Sequence, residues 1–397
     1  MFGNHRFLYG KGERMTFLGE LALILIVTLG VSHFCNRINI PAVVGELLVG
    51  VILGPALLGW LRPSAFMHDF SEMGVVLLMY LAGLESDLGL LKKYFKPSVF
   101  VAVLGVVMPM VLMPLASLAF GLTQQDSILV GVVFAATSVS ISVVVLRDAN
   151  ILSSKEGTTI LGAAVVDDIL AVLLLSVLST VMGTGQQVNL SLKFGLELLY
   201  FVGLFVAVKW VVPGIMSLSE HLQAPYAVVI TALVLGLALA ELAELVGLSD
   251  VVGAFFAGIA IGQTKYRDEI VTAVEPIGYA VFIPVFFVSI GLNMSFAGIQ
   301  SDFWFIVVMS LLAIATKLFG AGLGARLAGF SHTSAYLVGC GMVSRGEMAL
   351  IVAQIGYRSH LLSKDYYSSL ILVILITTLV APFMIQQAVK MQKARPN

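Results

Sequence analysis

Apolar runs approaching the roughly 20 residues that a bilayer-spanning helix needs follow one another along almost the whole chain. Leu21 to Val31, Val99 to Phe120 and Leu198 to Val212 are examples, separated by short polar or Gly/Pro-marked breaks. Of 397 residues, 59% are hydrophobic and only 11% charged, against about 25% charged in an average soluble domain. A water-soluble surface cannot be built from that inventory, so the chain reads as an all-α polytopic membrane protein.

Cutting at the polar breaks predicts thirteen transmembrane helices, near 15–35, 40–59, 68–88, 95–119, 126–147, 157–183, 192–213, 223–246, 249–265, 270–292, 303–326, 334–357 and 366–390. Lys and Arg number twelve in one set of alternate loops and seven in the other. The richer set belongs on the cytoplasmic side, which puts the N-terminus outside and the C-terminus in the cytoplasm. The expected domains are an extracytoplasmic segment 1–14, one membrane transporter domain 15–390 and a short tail 391–397. The basic start followed by an apolar stretch resembles a signal peptide only faintly, since no small-residue cleavage site follows; Met15 is an alternative start. A formal net charge of -1 argues for no nucleic acid partner. Cys35 and Cys340, far apart beside apolar segments, read as packing residues. No phosphate-binding glycine loop speaks for ATP-driven pumping.

One regularity organises these spans. Val44 to Gly54 reads VGELLVGVILG and Val252 to Gly262 reads VGAFFAGIAIG, so Gly45, Gly50 and Gly54 recur as Gly253, Gly258 and Gly262, each shifted by 208. The same shift carries Gly83-Leu84 onto Gly291-Leu292. Small residues at helical spacing serve packing in any membrane bundle, yet a single offset over separate segments favours duplication. Seven helices separate equivalent positions, an odd number, so the copies form an inverted-topology repeat: repeat one about 15–183, a linker helix about 192–213, repeat two about 223–390. Secondary transporters are built this way, with substrate sites near the midplane between copies.

Charges stand out against this apolar background. Asp167 and Asp168 are adjacent in the middle of the sixth span, where one ionised Asp costs about 2.5–3.5 kcal/mol on the mild insertion scale. Neighbours on a helix point about 100° apart, so one can face a water-filled cavity and the other a helix. Burial and mutual repulsion favour protonation, and carboxylate oxygens ligate a hard cation only when deprotonated. The pair therefore suits a proton- and cation-binding site for Na⁺, with a structural pair in a distorted helix as the alternative. Lys317 in the eleventh span wants an acid partner; competition with a cation for one carboxylate would couple two fluxes, while the plain alternative is a lysine pinning two helices. The fifth span holds Thr137, Ser138, Ser140 and Ser142 within six positions, and the shift of 208 sets Thr137 against Arg345 of Ser344-Arg345-Gly346-Glu347. Both helices are polar at midmembrane, as interrupted helices are; back-bonding hydroxyls are an equal alternative. Arg345 and Glu347, two apart, do not face each other and read as scaffold charges with partners elsewhere. Glu46, Glu85, Glu241 and Glu244 would line an entry path or merely mark span ends, and the six histidines fall at loop edges.

Together, Ala136-Thr137-Ser138-Val139, Gly162 through Asp167-Asp168, Thr316-Lys317 and Ser344-Arg345-Gly346-Glu347 resemble the second cation:proton antiporter family, especially its NapA-like sodium/proton antiporters, from about Asn36 to Pro382. The resemblance implies a homodimer, a six-helix core moving against a dimerisation domain, and two crossed discontinuous helices beside the aspartates. It also implies that Asp168 is the principal ion-binding acid, that Asp167 pairs with Lys317 as a salt-bridge switch, and that Thr137 and Ser138 lie in the unwound lining near the site. Relatives with Asp-Asp are electrogenic; Kef-type potassium relatives commonly carry Gln at the first position and a nucleotide-binding domain, and this chain does neither.

The function expected is secondary active monovalent cation:proton antiport, most simply Na⁺/H⁺ exchange for pH homeostasis in the cell inner membrane. Li⁺ or K⁺ is an alternative cargo, and no cofactor is expected. A K⁺/H⁺ antiporter or a cation channel using the same acids are alternatives, and an organic-anion symporter is a more distant one. An enzyme is not expected, since no metal triad or activated nucleophile stands out.

Overall fold

The computed structural model describes residues 16–38, 42–181, 190–293, 302–346, 348–350, 352–353 and 364–394. Among them every regular element is helical. In hydrocarbon no water satisfies a stray peptide group, so apolar runs of this length resolve as helices with internal hydrogen bonds. The elements are α1 (Phe17–Arg37), α2 (Ala42–Leu53), α3 (Ala65–Glu85), the short α4 (Leu88–Lys93), α5 (Phe95–Ala119), α6 (Gln124–Ala135), α7 (Ser140–Asp148) and α8 (Lys155–Val181). They continue as α9 (Leu190–Val206), α10 (Val212–Ser219), α11 (Ala227–Leu245), α12 (Asp250–Gly262), α13 (Arg267–Ile277), α14 (Ile283–Leu292), α15 (Phe303–Leu327), α16 (His332–Gly341) and α17 (Lys364–Lys393). Nine helical stretches among the described residues are long and apolar enough to cross a membrane.

Helix starts are fixed by side chains that capture the unpaired first-turn N–H groups. Ser64 caps α3 through Met67 N at 3.2 Å, and Thr123 and Ser331, 208 positions apart, cap α6 and α16 through Asp126 N and Ser334 N, both at 3.2 Å. The stretches 190–219 and 267–292 are single long spans with an inserted π turn, at Ala207–Val211 and Gly278–Phe282. Each π turn runs into a proline, Pro213 or Pro284. A proline has no N–H to close the regular ladder, and the turn before it widens.

The offset of 208 read from the sequence reappears in the coordinates. Phe95–Ala119 and Phe303–Leu327 stand 208 apart at both ends, and Gln124 and His332 begin equivalent helices. The close approaches correspond as well. Gly50 lies against the Val288 carbonyl and Gly291, while Gly258 lies against the Tyr80 carbonyl and Gly83. Val288 and Tyr80, like Gly291 and Gly83, are the same 208 positions apart, so α2 meets α14 as α12 meets α3. Gly45 likewise packs on Val31 and Cys35, and Gly253 on Leu239 and Ala240. At Gly50 and Gly258 an added methyl group would strike backbone.

Burial sorts the helices by role. The stretch Gln124–Asp148 is 94% buried in its apolar window, whereas Phe17–Arg37 and Gly195–Ser219 are 11% buried. Ile26, Leu29, Phe34, Leu199, Phe205 and Trp210 are exposed on the latter two, where lipid tails are the surroundings such side chains match. The chain is a multi-pass helical membrane protein, and α6 and α7 run through its centre.

Candidate functional site

The fifth sequence span divides in two. Residues 136–139 between α6 and α7 are not helical, and neither are residues 343–346 after α16, beyond which residues 348–350 are helical again. The two unwound segments touch. Ser138 N–H donates to the Ser344 carbonyl at 3.0 Å, the Ser344 hydroxyl donates to the Ser138 carbonyl, and the Ser142 hydroxyl donates to the Gly341 carbonyl at 2.6 Å. Peptide groups freed at membrane depth need polar partners within the protein, and here each break supplies them to the other. Ser142 bonds across to α16 and not to its own preceding turn, while the Thr137 and Ser140 hydroxyls have no hydrogen-bond partner among the described residues.

Arg345 is fully buried, and its guanidinium donates to the Ala136 carbonyl at 3.0 Å and the Ala313 carbonyl at 3.3 Å. Ala136 is the C-cap of α6, so this cation sits at the negative end of a broken helix. The Arg345 peptide is itself held by the Thr378 hydroxyl of α17. The scaffold partners expected elsewhere for Arg345 are thus backbone carbonyls. Glu347 lies outside the described residues.

Asp167 and Asp168 are adjacent on α8 and differ in surroundings: Asp167 is buried and Asp168 half-buried. Lys317, 0% exposed on α15, donates from Nζ to Asp167 Oδ2 at 2.9 Å. Asp168 and Arg345 also act electrostatically on Lys317, and Arg345 on Asp167. The other oxygen, Asp167 Oδ1, has no hydrogen-bond donor among the described residues, and neither does the hydroxyl of buried Thr137. Two fixed cations, a carboxylate held by one of them, a more accessible carboxylate beside it and helix ends stripped of their ladder bonds form one locus. Carboxylate and carbonyl oxygens are the ligands a hard cation takes.

The remaining acids part company with this locus. Glu85 and Glu275 both bind Arg147 at the end of α7, at 2.7 and 2.5 Å, and the guanidinium lies 4.4 Å from the Tyr279 ring centroid. That cluster ties the broken helix to α3 and α13. Glu46 interacts electrostatically with Asp148 and lies near Ser32. Glu241 and Glu244 are exposed, as are His33, His68, His221 and His332. Cys35 and Cys340 are buried and free. Outside the spans, the Lys265 ammonium lies 2.7 Å from Glu220 and holds its carboxyl below the usual range.

Sequence reasoning missed Arg147 and Thr378, and named Ser344 within its motif without giving it a role. A signal existed for Ser344, because the shift of 208 sets it against Ala136 at the start of the first break. Arg147 looked like an ordinary helix-end basic residue.

The fold is shared with a solved structure: a sodium proton antiporter from Methanocaldococcus jannaschii superposes with a TM-score of 0.72 at 16% identity, over 96% of this chain and 100% of that one. The family model described as sodium/hydrogen exchanger, transmembrane, matches residues 21–391. The chain belongs to the sodium/hydrogen exchanger family. Among relatives, a Na(+)/H(+) antiporter of Enterococcus hirae is 52% identical over 95% of this chain and 99% of its own length. The Na(+)/H(+)-K(+) antiporter GerN of Bacillus cereus is 42% identical over 93% and 95%.

Proposed function

We propose that this chain is a secondary active Na⁺/H⁺ antiporter working by alternating access, with protons and cation competing for Asp167 and Asp168. The observation that carries this reading is the buried Lys317–Asp167 pair at 2.9 Å, next to half-buried Asp168 and the paired helix breaks. Asp168 is the principal ion-binding acid. Asp167 holds Lys317 in one protonation state and releases it in another. The freed lysine can then lose its proton, since burial disfavours an unpaired ammonium, and more than one proton per sodium makes the exchange electrogenic. Thr137 and Ser138 supply the unwound lining, and Arg345 neutralises the helix end beside it.

The activities for which the Enterococcus and Bacillus relatives are named support sodium as cargo, and the second of them supports potassium as an additional one. The matched helix ends and reciprocal glycine contacts support two inverted copies, 15–183 and 223–390 joined by the helix 192–213, within one transporter domain. The breaks meeting at Ser138 and Ser344 support a pair of crossed discontinuous helices. The lipid-facing faces of α1 and α9 to α10 leave room for a homodimer in the plasma membrane, with the N-terminus outside and the C-terminus in the cytoplasm. No cofactor or enzymatic step enters this mechanism.

Proton release from reconstituted protein, followed with a pH-sensitive dye as Na⁺, Li⁺ and K⁺ are added in turn with membrane potential clamped and then free, tests the reading. Saturable, potential-sensitive release on adding Na⁺ is expected. Cation conductance without proton coupling would replace the exchanger by a channel.

A further inference from the structure

The unwound residues 136–139 present four peptide carbonyls in the middle of the protein, and three of them are claimed. Ala136 O accepts from Arg345 Nη1 at 3.0 Å, Val139 O accepts from Val143 N–H at 2.8 Å, and Ser138 O accepts from the Ser344 hydroxyl. Thr137 is the exception. Neither its carbonyl nor its hydroxyl takes part in a hydrogen bond among the described residues, and it is 6% exposed. Buried polar atoms without partners are rare enough to need a reason.

The three claims differ in kind. The one on Ala136 is a charge at a helix end, and the one on Val139 is the first bond of α7 itself. The one on Ser138 comes, among the described residues, from a side-chain hydroxyl. Ser344 is 0% exposed and held from its own side: its carbonyl accepts Ser138 N–H at 3.0 Å, and its hydroxyl lies 3.5 Å from the Ser142 hydroxyl. Its Oγ is therefore set on the Ser138 carbonyl by the surrounding packing.

We infer that Ser344 is a specificity-determining residue: by occupying the Ser138 carbonyl it restricts the unwound peptide to the oxygens of Thr137, and so favours a small cation over K⁺. The inference rests on the cation/proton exchange proposed above and deepens it. A carbonyl that already accepts a hydrogen bond offers a cation a weaker and partly blocked oxygen. Selection between monovalent cations depends on the size of the coordinating cage and on the number and field strength of its oxygens. With Ser138 O withheld, Thr137 and the carboxylates form a small cage. With it released, one more oxygen joins and the larger ion gains most. Ser344 does not touch the cation; it acts through the Ser138 peptide.

The test compares the wild type with Ser344→Ala and Ser344→Cys, each full-length in proteoliposomes. Apparent KM for Na⁺, Li⁺ and K⁺ is read from dye-monitored proton release. Loss of the hydroxyl in Ser344→Ala is expected to lower the ratio of the K⁺ KM to the Na⁺ KM severalfold. Ser344→Cys keeps the shape but has a poor donor, and is expected to move the ratio the same way by less. Should Ser344→Ala fail to fold, the near-isosteric Cys variant decides alone. A ratio unchanged in the folded variants, with only turnover or thermal stability lowered, would overturn the inference and leave Ser344 as a staple between helices. A wild type without cation-driven proton release would overturn the exchange reading itself, which is a different result from a working exchanger whose KM ratio stays fixed.

Discussion

Lys317 Nζ and Asp167 Oδ2 meet at 2.9 Å with both side chains sealed from solvent, at 0% and 1% exposure. A buried pair of this kind is seldom a net source of stability, because desolvating two charges costs about what their attraction returns. Breaking it by removing one partner is a different matter, since the survivor is left buried and uncompensated.

Lys317→Ala should for that reason destabilise the protein by about 3–5 kcal/mol, and removing both charges in Asp167→Asn/Lys317→Ala should recover most of the loss. Thermal unfolding of the purified variants in detergent measures this. A double variant no more stable than Lys317→Ala would show that the lysine stabilises through packing and not through its charge.

The glycine contacts between the two halves make a second prediction. Gly50 and Gly258 meet equivalent backbone, the Val288 and Tyr80 carbonyls, at equivalent closeness. Overpacking typically costs about 1–3 kcal/mol, and Gly50→Ala and Gly258→Ala should lower stability by similar amounts. A large difference between their melting temperatures would mean that the two contacts, alike in geometry, differ in their capacity to relax.

Much of the architecture is legible in the residues. The span expected at 95–119 coincides with α5, because Lys92 and Lys93 before it, Lys96 in its first turn and Gly121 after it mark the membrane boundaries. The offset of 208 needed only glycines, since a glycine at a helix crossing reports the neighbour's backbone. The interruption in 126–147 was legible only as one of two alternatives. Ala136-Thr137-Ser138-Val139 contains no Gly or Pro, and what stabilises the break, Ser344 and Arg345, lies about 200 positions away. The two π turns were invisible because an apolar run reads alike in either helix type. Pairing of Lys317 with an acid was foreseeable from burial cost alone, but spacing left the two aspartates equivalent, and only the family resemblance assigned Asp167 to the lysine.

Competition between proton and cation for a carboxylate sets a pH dependence. Only the deprotonated form takes a cation. The apparent KM for Na⁺ should therefore rise as pH falls through the range where the aspartates protonate, by about tenfold per unit if one proton competes with one cation. Rates at saturating Na⁺ should fall much less. Initial rates of dye-monitored exchange over a matrix of pH and sodium concentration check this; a KM independent of pH across the active range would contradict competition at a shared carboxylate.

The central claim is that Asp168, half-buried beside the Lys317–Asp167 pair, is the acid that exchanges a proton for a cation. Asp168→Asn keeps the size of the side chain and removes its charge, leaving Asp167 in place to hold Lys317. Sodium-driven proton release from proteoliposomes carrying this variant measures the claim directly. Loss of release to the level of empty vesicles, with a folded protein, is the predicted result; wild-type release from Asp168→Asn would contradict the account.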